Sequence, residues 1–316
     1  MTLEKLLRLG ADKLSKSGIS EADLDARYLL LSVTGISPAM FLIRKNQEAD
    51  GETEQRFEDL IQRRASRIPL QHILGTQEFM GLEFAVSPDV LIPRQDTETL
   101  VERVLYDRKG IEGTPSLLDM CTGSGCIALS LAVLGDFGQV VAADISPKAL
   151  IVAEENARRL LPRHRNNRED QGAAGNERIR EHGKILNGRA DRFQLIQSDL
   201  YENIPADMEF DIIVSNPPYI PSQDIRDLEP EVKDYEPRLA LDGSADGLEF
   251  YRRLAAESGA YLKPGGRIYL EIGYDQGLAV SSLLRAAGFI NIEIIKDIPG
   301  QDRVVAARWP QEGTHV

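Results

Sequence analysis

Asn216-Pro217-Pro218-Tyr219 joins a side-chain amide, two prolines and an aromatic ring directly after the apolar run Asp211-Ile212-Ile213-Val214-Ser215. In an open α/β sheet the ligand crevice lies beyond the carboxyl ends of the strands, where this tetrapeptide falls. Its residue types suit chemistry on a planar amide or amine nitrogen, which is a poor nucleophile because its lone pair is delocalised. The Asn216 side-chain oxygen and the Pro217 carbonyl can accept the two N–H hydrogens and aim the lone pair at a sulfonium methyl group. As the nitrogen pyramidalises it gains positive charge, so those oxygens bind the transition state more strongly than the ground state. Proline φ angles are fixed, which stiffens the loop, and Tyr219 offers a flat face for packing. No strong base is needed, because the protonated product sheds its proton readily to water. A Pro-rich turn beside a sheet is the plain alternative.

Two further motifs precede it. Asp119-Met120-Cys121-Thr122-Gly123-Ser124-Gly125-Cys126 is a small-residue turn between a strand and a helix. Such a turn lets a ligand approach the backbone and meet helix N-terminal amides. Cys121, Thr122, Gly123, Ser124 and Gly125 are therefore candidate cofactor contacts, and a tight turn with no ligand is the competing reading. Asp144 ends the next strand, and a carboxylate there can accept two hydrogen bonds from ribose hydroxyls. Its other reading is the N-cap of a helix starting at Pro147. The two motifs in this order point to a nucleoside cofactor. Asp199, followed by Leu200, ends the strand before the tetrapeptide and could meet an adenine amino group; a solvated loop aspartate is the alternative. Tyr219 also reads as a core aromatic and Glu271 as an ordinary strand-end carboxylate. The four histidines show no metal spacing and no Ser-His-Asp order, so no metal is expected.

These residues need a scaffold. From Ser116 the pattern alternates strand, turn and helix: strands over 116–119, 140–143, 193–196 and 211–215, with helices over 127–134 and 147–160, the latter carrying Pro147 at its first position. Alternating βα units imply a parallel sheet covered on both faces. Strands over 267–272, 290–296 and 303–308 are separated by turns too short for parallel crossovers, which predicts an antiparallel edge. Residues 1–75 carry helical periodicity instead: Leu3, Leu6, Leu7 and Leu14 share a face, Ser20 resembles an N-cap before the face Leu24, Tyr28, Leu29 and Leu31, and Phe57, Leu60 and Ile61 mark another helix. Short alternating runs around Gly81 predict a β-hairpin in a linker over 76–92. The catalytic domain then spans 93–316, with 162–190, poor in large apolar residues, as an exposed insertion.

The net charge of −13 over 316 residues disfavours phosphate-backbone contacts, so no direct nucleic-acid binding is expected. Two cysteines, Cys121 and Cys126, are too few for a disulfide framework. The N-terminus lacks the pattern of a signal peptide, and no apolar run approaches the roughly 18 residues of a membrane span. A cytoplasmic protein is expected.

At these residues the chain resembles the release-factor glutamine methyltransferase family. Besides the motifs above, the resemblance includes Ile92-Pro93-Arg94-Gln95-Asp96-Thr97-Glu98, Glu236-Pro237-Arg238-Leu239-Ala240-Leu241-Asp242-Gly243, Asp246-Gly247-Leu248, Gly273-Tyr274-Asp275-Gln276-Gly277 and Asp302-Arg303-Val304-Val305. It covers most of the chain outside the insertion. Asn-Pro-Pro-Tyr occurs in several N-methyltransferase families; the Pro-Arg and Glu-Pro-Arg-Leu-Ala-Leu blocks are far more specific. The resemblance implies a helical substrate-recognition domain and a Rossmann-like, seven-stranded catalytic domain that uses S-adenosylmethionine. It implies methylation of the glutamine in the Gly-Gly-Gln motif of class I peptide-chain release factors, by an enzyme expected to be a monomer. Asn216 and Pro217 would hold the glutamine amide, with Pro218 and Tyr219 beside it. The Gly loop, Asp144, Asp199, Leu200 and Asn216 would hold the cofactor. Cys121 stands where the family usually has Gly, so either the backbone is unstrained there or cofactor affinity is altered. A ribosomal-protein glutamine, a flipped-out nucleic-acid base and a scaffold that has lost activity are the alternatives.

Overall fold

Hydrophobic residues three and four apart build the N-terminal part of the chain, and alternating ones build the rest. The computed structural model describes residues 1–161, 186–187 and 192–311. Apart from Leu186–Asn187, the expected insertion over 162–190 lies outside the described residues. Two compact units are present: Met1–Thr76 with Leu228–Glu236, and Gln77–Asp227 with Pro237–Val316.

The first unit holds helices Leu3–Lys16, Ala22–Thr34, Pro38–Arg44, Gly51–Ala65 and Leu70–Leu74. Three start on a side-chain cap: Thr2, Ser37 and Asp50 accept from the backbone N–H three residues on. Leu3, Leu6, Leu14, Phe57 and Ile61 are buried together, as their spacing implies. The second helix departs from expectation. It begins at Ala22 with Glu21, not Ser20, at the cap position and no side-chain cap bond. Its buried stripe is Ala22, Ala26, Leu29 and Leu30, while Leu24 and Tyr28 stay 45% and 49% exposed. The small alanines let the helices approach closely, and the larger side chains fall on the outer face.

The later segment Leu228–Glu236 completes this unit through charge. Buried Arg64 donates from Nε to Asp25 Oδ2 (2.6 Å) and from Nη1 to Glu231 Oε1 (2.9 Å). Arg67 reaches Glu231 Oε2 (2.6 Å) and Glu229 Oε2 (3.0 Å). Desolvation pushes the Glu231 carboxyl upward, but hydrogen bonds from its own backbone, Arg64 and Arg67 outweigh this and hold it below its ordinary value.

In the second unit, β1 (Thr76–Phe79) and β2 (Leu82–Ala85) form the expected hairpin. Both turn residues, Met80 and Gly81, have positive φ (53° and 73°), as a type I′ turn requires. The main sheet comprises β3 (Ser116–Met120), β4 (Gln139–Asp144), β5 (Leu186–Asn187), β6 (Phe193–Gln197), β7 (Phe210–Ser215), β8 (Leu262–Glu271), β9 (Ile290–Lys296) and β10 (Asp302–Arg308). Their order is β5-β6-β4-β3-β7-β8-β10-β9. The central strands are parallel, and β10 runs antiparallel to both β8 and β9. The expected seven strands are thus joined by a two-residue eighth, β5, antiparallel to β6. Alternate residues feed two cores: Leu117, Ile212 and Val214 on one face, Leu118, Ile213 and Ile268 on the other. β8 begins at Leu262, earlier than the expected Arg267. Lys263-Pro264-Gly265-Gly266 reads as a turn in sequence, but the strand runs through it with a register shift. The chain builds β4 and β6 on one side of β3 and then crosses from β6 to β7 on the other, which makes a topological switch point at the carboxyl edge.

Candidate active site

The Gly loop leaves β3 at that edge. Cys121, Gly123 and Gly125 all have positive φ (62°, 57° and 80°). Cys121 therefore holds a backbone conformation that only glycine adopts freely, and the unstrained alternative raised by its sequence does not apply. A Cβ on Gly123 would meet nothing within 4 Å, so the loop is open there to a ligand. A Cβ on Gly125 would come within 3.0 Å of Leu129 Cδ1 and 3.3 Å of Ala153 Cβ, so this glycine lets the following helix, Cys126–Leu134, pack closely. That helix has no side-chain cap.

Asp119 sits beneath the loop, fully buried. Its Oδ2 accepts from Thr122 Oγ1 (2.6 Å) and Ala128 N (3.1 Å), and Oδ1 has no partner. Burial pushes its carboxyl up to about 7 against those two hydrogen bonds. Asn156, also fully buried, accepts from Ala85 N (2.7 Å) and donates to Ala85 O (3.1 Å) and Ser124 O (2.9 Å). One amide thus ties the hairpin to the Gly loop.

Asp144 ends β4. Its Oδ2 accepts from Gly123 N (2.8 Å) and its Oδ1 from Ser146 N (2.9 Å), while burial raises its carboxyl above the ordinary value. The helix cap is Ser146, which accepts from Ala149 N (3.2 Å), so the capping alternative for Asp144 falls. Each Asp144 oxygen keeps a further lone pair for a ligand. Asp199 pairs with Arg253 Nη2 at 2.9 Å, so it is not a free loop carboxylate. Leu200 is buried with a positive φ of 47°.

Asn216 follows β7, whose last residue, Ser215, donates from Oγ to Met120 O (2.7 Å) and locks β7 to β3. Asn216 Nδ2 donates to Thr97 Oγ1 at 3.4 Å. The tetrapeptide is braced from behind: Gln276 Nε2 donates to Tyr219 O (3.0 Å), Ile220 N to Leu241 O (3.0 Å) and Gly243 N to Ile220 O (2.8 Å). A Cβ on Gly247 would lie 2.3 Å from Tyr219 O, which explains a glycine there. The Tyr219 ring packs on the core cluster that includes Tyr251, and burial raises its hydroxyl pKa.

One cavity of about 190 Å³ joins these parts. Cys121, Thr122, Gly123 and Ser124 line it, as do Asp144, Asp199 and Leu200, and Asn216 and Pro218 close its far side. Gly125, Pro217 and Tyr219 are not among its lining residues. The segment Asp89–Thr97, with Phe250 and Arg253, completes the wall. The bracing residues Asn156 and Gln276 carry no local signal of this role, since their partners lie 71 and 57 positions away.

Curated relatives share this sequence almost end to end. A release factor glutamine methyltransferase from Moorella thermoacetica is 40% identical over 313 residues, covering 99% of this chain and 100% of the relative. One from Geobacter sulfurreducens is 38% identical over 307 residues, covering 97% and 96%. The chain belongs to the release factor glutamine methyltransferase family. The PrmC N-terminal domain matches residues 5–75, on the helices of the first unit. The Eco57I restriction-modification methylase family matches residues 138–243, the stretch that carries Asp144 and Asn216. Among solved structures, the hMettl16 catalytic domain, in complex with MAT2A 3′UTR hairpin 6, superposes with a TM-score of 0.52 at 18% identity, covering 82% of this chain and 84% of that one. That likeness shows the shared Rossmann-like fold alone. As a member of the release factor glutamine methyltransferase family, the chain is a methyltransferase.

Proposed function

We propose that this enzyme transfers a methyl group from S-adenosylmethionine to the side-chain amide nitrogen, N5, of the glutamine in the Gly-Gly-Gln motif of class I peptide-chain release factors. The observation that carries the reading is the single cavity joining the Gly loop and Asp144 to Asn216, in a chain of this family. The residues fit the cofactor: an open loop at Gly123, a strand-end carboxylate with spare lone pairs, and apolar walls from Val90, Leu91 and Leu200.

When bound, S-adenosylmethionine supplies an electrophilic methyl group on a sulfonium centre. Asp144 would accept from its ribose hydroxyls, the Gly loop would offer backbone amides, and Asp199 and Leu200 would hold its base. Asn216 Oδ1 and the Pro217 carbonyl accept the two amide hydrogens of the glutamine, which orients the nitrogen and stabilises its growing positive charge. Pro218 and Tyr219 stiffen and back that loop, although the Tyr219 ring packs into the core rather than lining the cavity. The helical unit recognises the release factor. The net charge of −13 favours a protein acceptor over nucleic acid. Among the described residues no single helix is long and apolar enough to cross a membrane; we place the enzyme in the cytoplasm as a monomer.

The test is methyl transfer from labelled S-adenosylmethionine to purified release factor, with a Gln→Ala variant of its Gly-Gly-Gln motif as control. Label on the wild-type factor alone supports the reading. Label on neither factor, with cofactor binding intact, refutes the partner and directs the search to ribosomal proteins and nucleic acid.

A further inference from the structure

Behind Asn216 lies a polar group that the proposed chemistry does not use. Ser215 pairs with Leu270 across β7 and β8, so Asn216, just past β7, lies beside Glu271, the last residue of β8. Glu271 is 2% exposed and its Oε2 has no partner. Thr97, also 2% exposed, stands between them in the first turn of the helix Gln95–Arg108. Asn216 Nδ2 donates to Thr97 Oγ1 at 3.4 Å. Burial is the main influence on the Glu271 carboxyl and pushes it up to about 7, while hydrogen bonds from Thr97 and Asn216 and the charge of Arg303 pull it back. The surrounding charges are largely engaged: Arg303 pairs with Asp96 (3.2 Å) and Asp297 (3.0 Å), and Tyr251 donates to the Glu271 backbone carbonyl (2.7 Å).

An asparagine amide offers an acceptor on one side and two donors on the other, and only one orientation serves an incoming amide. With Nδ2 turned outward, donors would face donors. A threonine hydroxyl has one proton to give and lone pairs with which to accept, and an ionised carboxylate only accepts. Thr97 Oγ1 accepts from Asn216 Nδ2 at 3.4 Å, and the buried Glu271 carboxyl beside it offers the same amide group a second acceptor. That draws Nδ2 inward and leaves Oδ1 facing the cavity.

We propose that Glu271 and Thr97 are positioning residues which together accept from the Asn216 amide group and so fix its orientation, presenting its oxygen to the acceptor nitrogen. This rests on the methyl-transfer reading of Asn216 and adds two residues to it. Thr97 also lines the cavity wall, whereas Glu271 does not.

Thr97→Val is nearly isosteric and removes one acceptor, whereas Thr97→Ser keeps the hydroxyl. T97V should lower kcat about 10²-fold, the scale of losing one oriented polar group, with the cofactor Kd changed less than about threefold on that assumption of an intact cofactor half. T97S should restore kcat to near the wild-type value. Glu271→Gln, whose amide can turn either way, should lower kcat about tenfold on the same scale. The T97V/E271Q double variant should be slower than either single variant, because each removes one acceptor from the same amide group. Hydrogen exchange of the Asn216 side-chain amide, read by NMR on full-length protein without acceptor, provides a measure independent of substrate. Its Nδ2 protons should exchange slowly in wild type and T97S and faster in T97V and E271Q. Equal exchange in all four proteins, or equal turnover of T97V and T97S, would overturn the proposal. A wild-type enzyme that labels no release factor counts against the partner reading only, since the exchange measurement still decides the positioning role.

Discussion

Replacing Gly247 with alanine puts a Cβ 2.3 Å from Tyr219 O and 2.8 Å from Gln276 Nε2, at a φ of +72°. The conformation alone costs an L-residue about 1 kcal/mol. Ordinary carbon–oxygen contact needs about 3.3 Å, so the Tyr219 carbonyl must retreat by about 1 Å. That retreat breaks the 3.0 Å bond from Gln276, worth about 1 kcal/mol, and adds an overpacking cost of about 1–3 kcal/mol. The expected loss of stability is about 3–5 kcal/mol. A displacement of about 1 Å in a loop that carries Asn216 should also lower kcat about 10²-fold, with cofactor affinity changed little. Gly81→Ala is the control: its φ is +73°, but a Cβ there meets nothing within 4 Å. It should lose only about 1 kcal/mol and keep full turnover. Chemical denaturation and methyl-transfer kinetics on both variants separate backbone conformation from close approach. If G247A matched G81A in both measurements, the bracing of the tetrapeptide by its neighbours would be wrong.

Asn216→Ala should lower kcat by more than about 10²-fold while calorimetry finds cofactor binding nearly intact; near-wild-type turnover would remove Asn216 from its role. Asp144→Ala should weaken cofactor binding by about tenfold or more, the scale of losing a charged hydrogen-bond acceptor, and an unchanged Kd would count against a ribose contact. Asp119 holds its proton to about pH 7 when folded, against 3.8 ordinarily, so the unfolded chain ionises first. The stability contributed by its protonated form is whole below about pH 4 and is lost as pH rises to about 7. Asp119→Asn should therefore gain stability relative to wild type across that window in urea titrations, and a difference that does not vary with pH would refute the assignment.

The catalytic half of the fold was legible because its local signals agree. Pro147 gives a first helical residue, and the helix spans Pro147–Leu160 as expected. The run at 211–215, buried on both faces, became β7, and the run at 290–296, which largely alternates half-buried and exposed residues, became β9. The beginning of β8 was hidden by Pro264-Gly265-Gly266, where tertiary pairing overrides turn chemistry. Leu24 and Tyr28 misled because their apolar character is spent on the surface, while alanines make the close packing. In the site, Cys121, Gly123, Asp144, Asn216 and Pro218 were readable from types and spacing, and they do share one cavity. The strain at Cys121 was posed as a question by the sequence and answered only by its φ of 62°. The place of Thr97 and Glu271 behind Asn216 was invisible, because strand register brings Glu271 there and helix packing brings Thr97.

The return of Leu228–Glu236 to the helical unit has a consequence for how the protein is made. Domains that emerge first during synthesis generally fold first. Here the bundle's own residues are complete by Thr76, yet Arg64 gains its second carboxylate only when Glu231 has been added. Until then Arg64 has Asp25 as its acidic partner within the first segment, and the charge-assisted bonds from Arg64 and Arg67 to Glu231 are not yet made. The nascent bundle therefore reaches its final stability only after most of the second unit exists. Cutting the chain between Thr76 and Gln77 would leave the first fragment still held by charge to a segment on the other side of the break. The helical unit is thus a domain whose last piece arrives late.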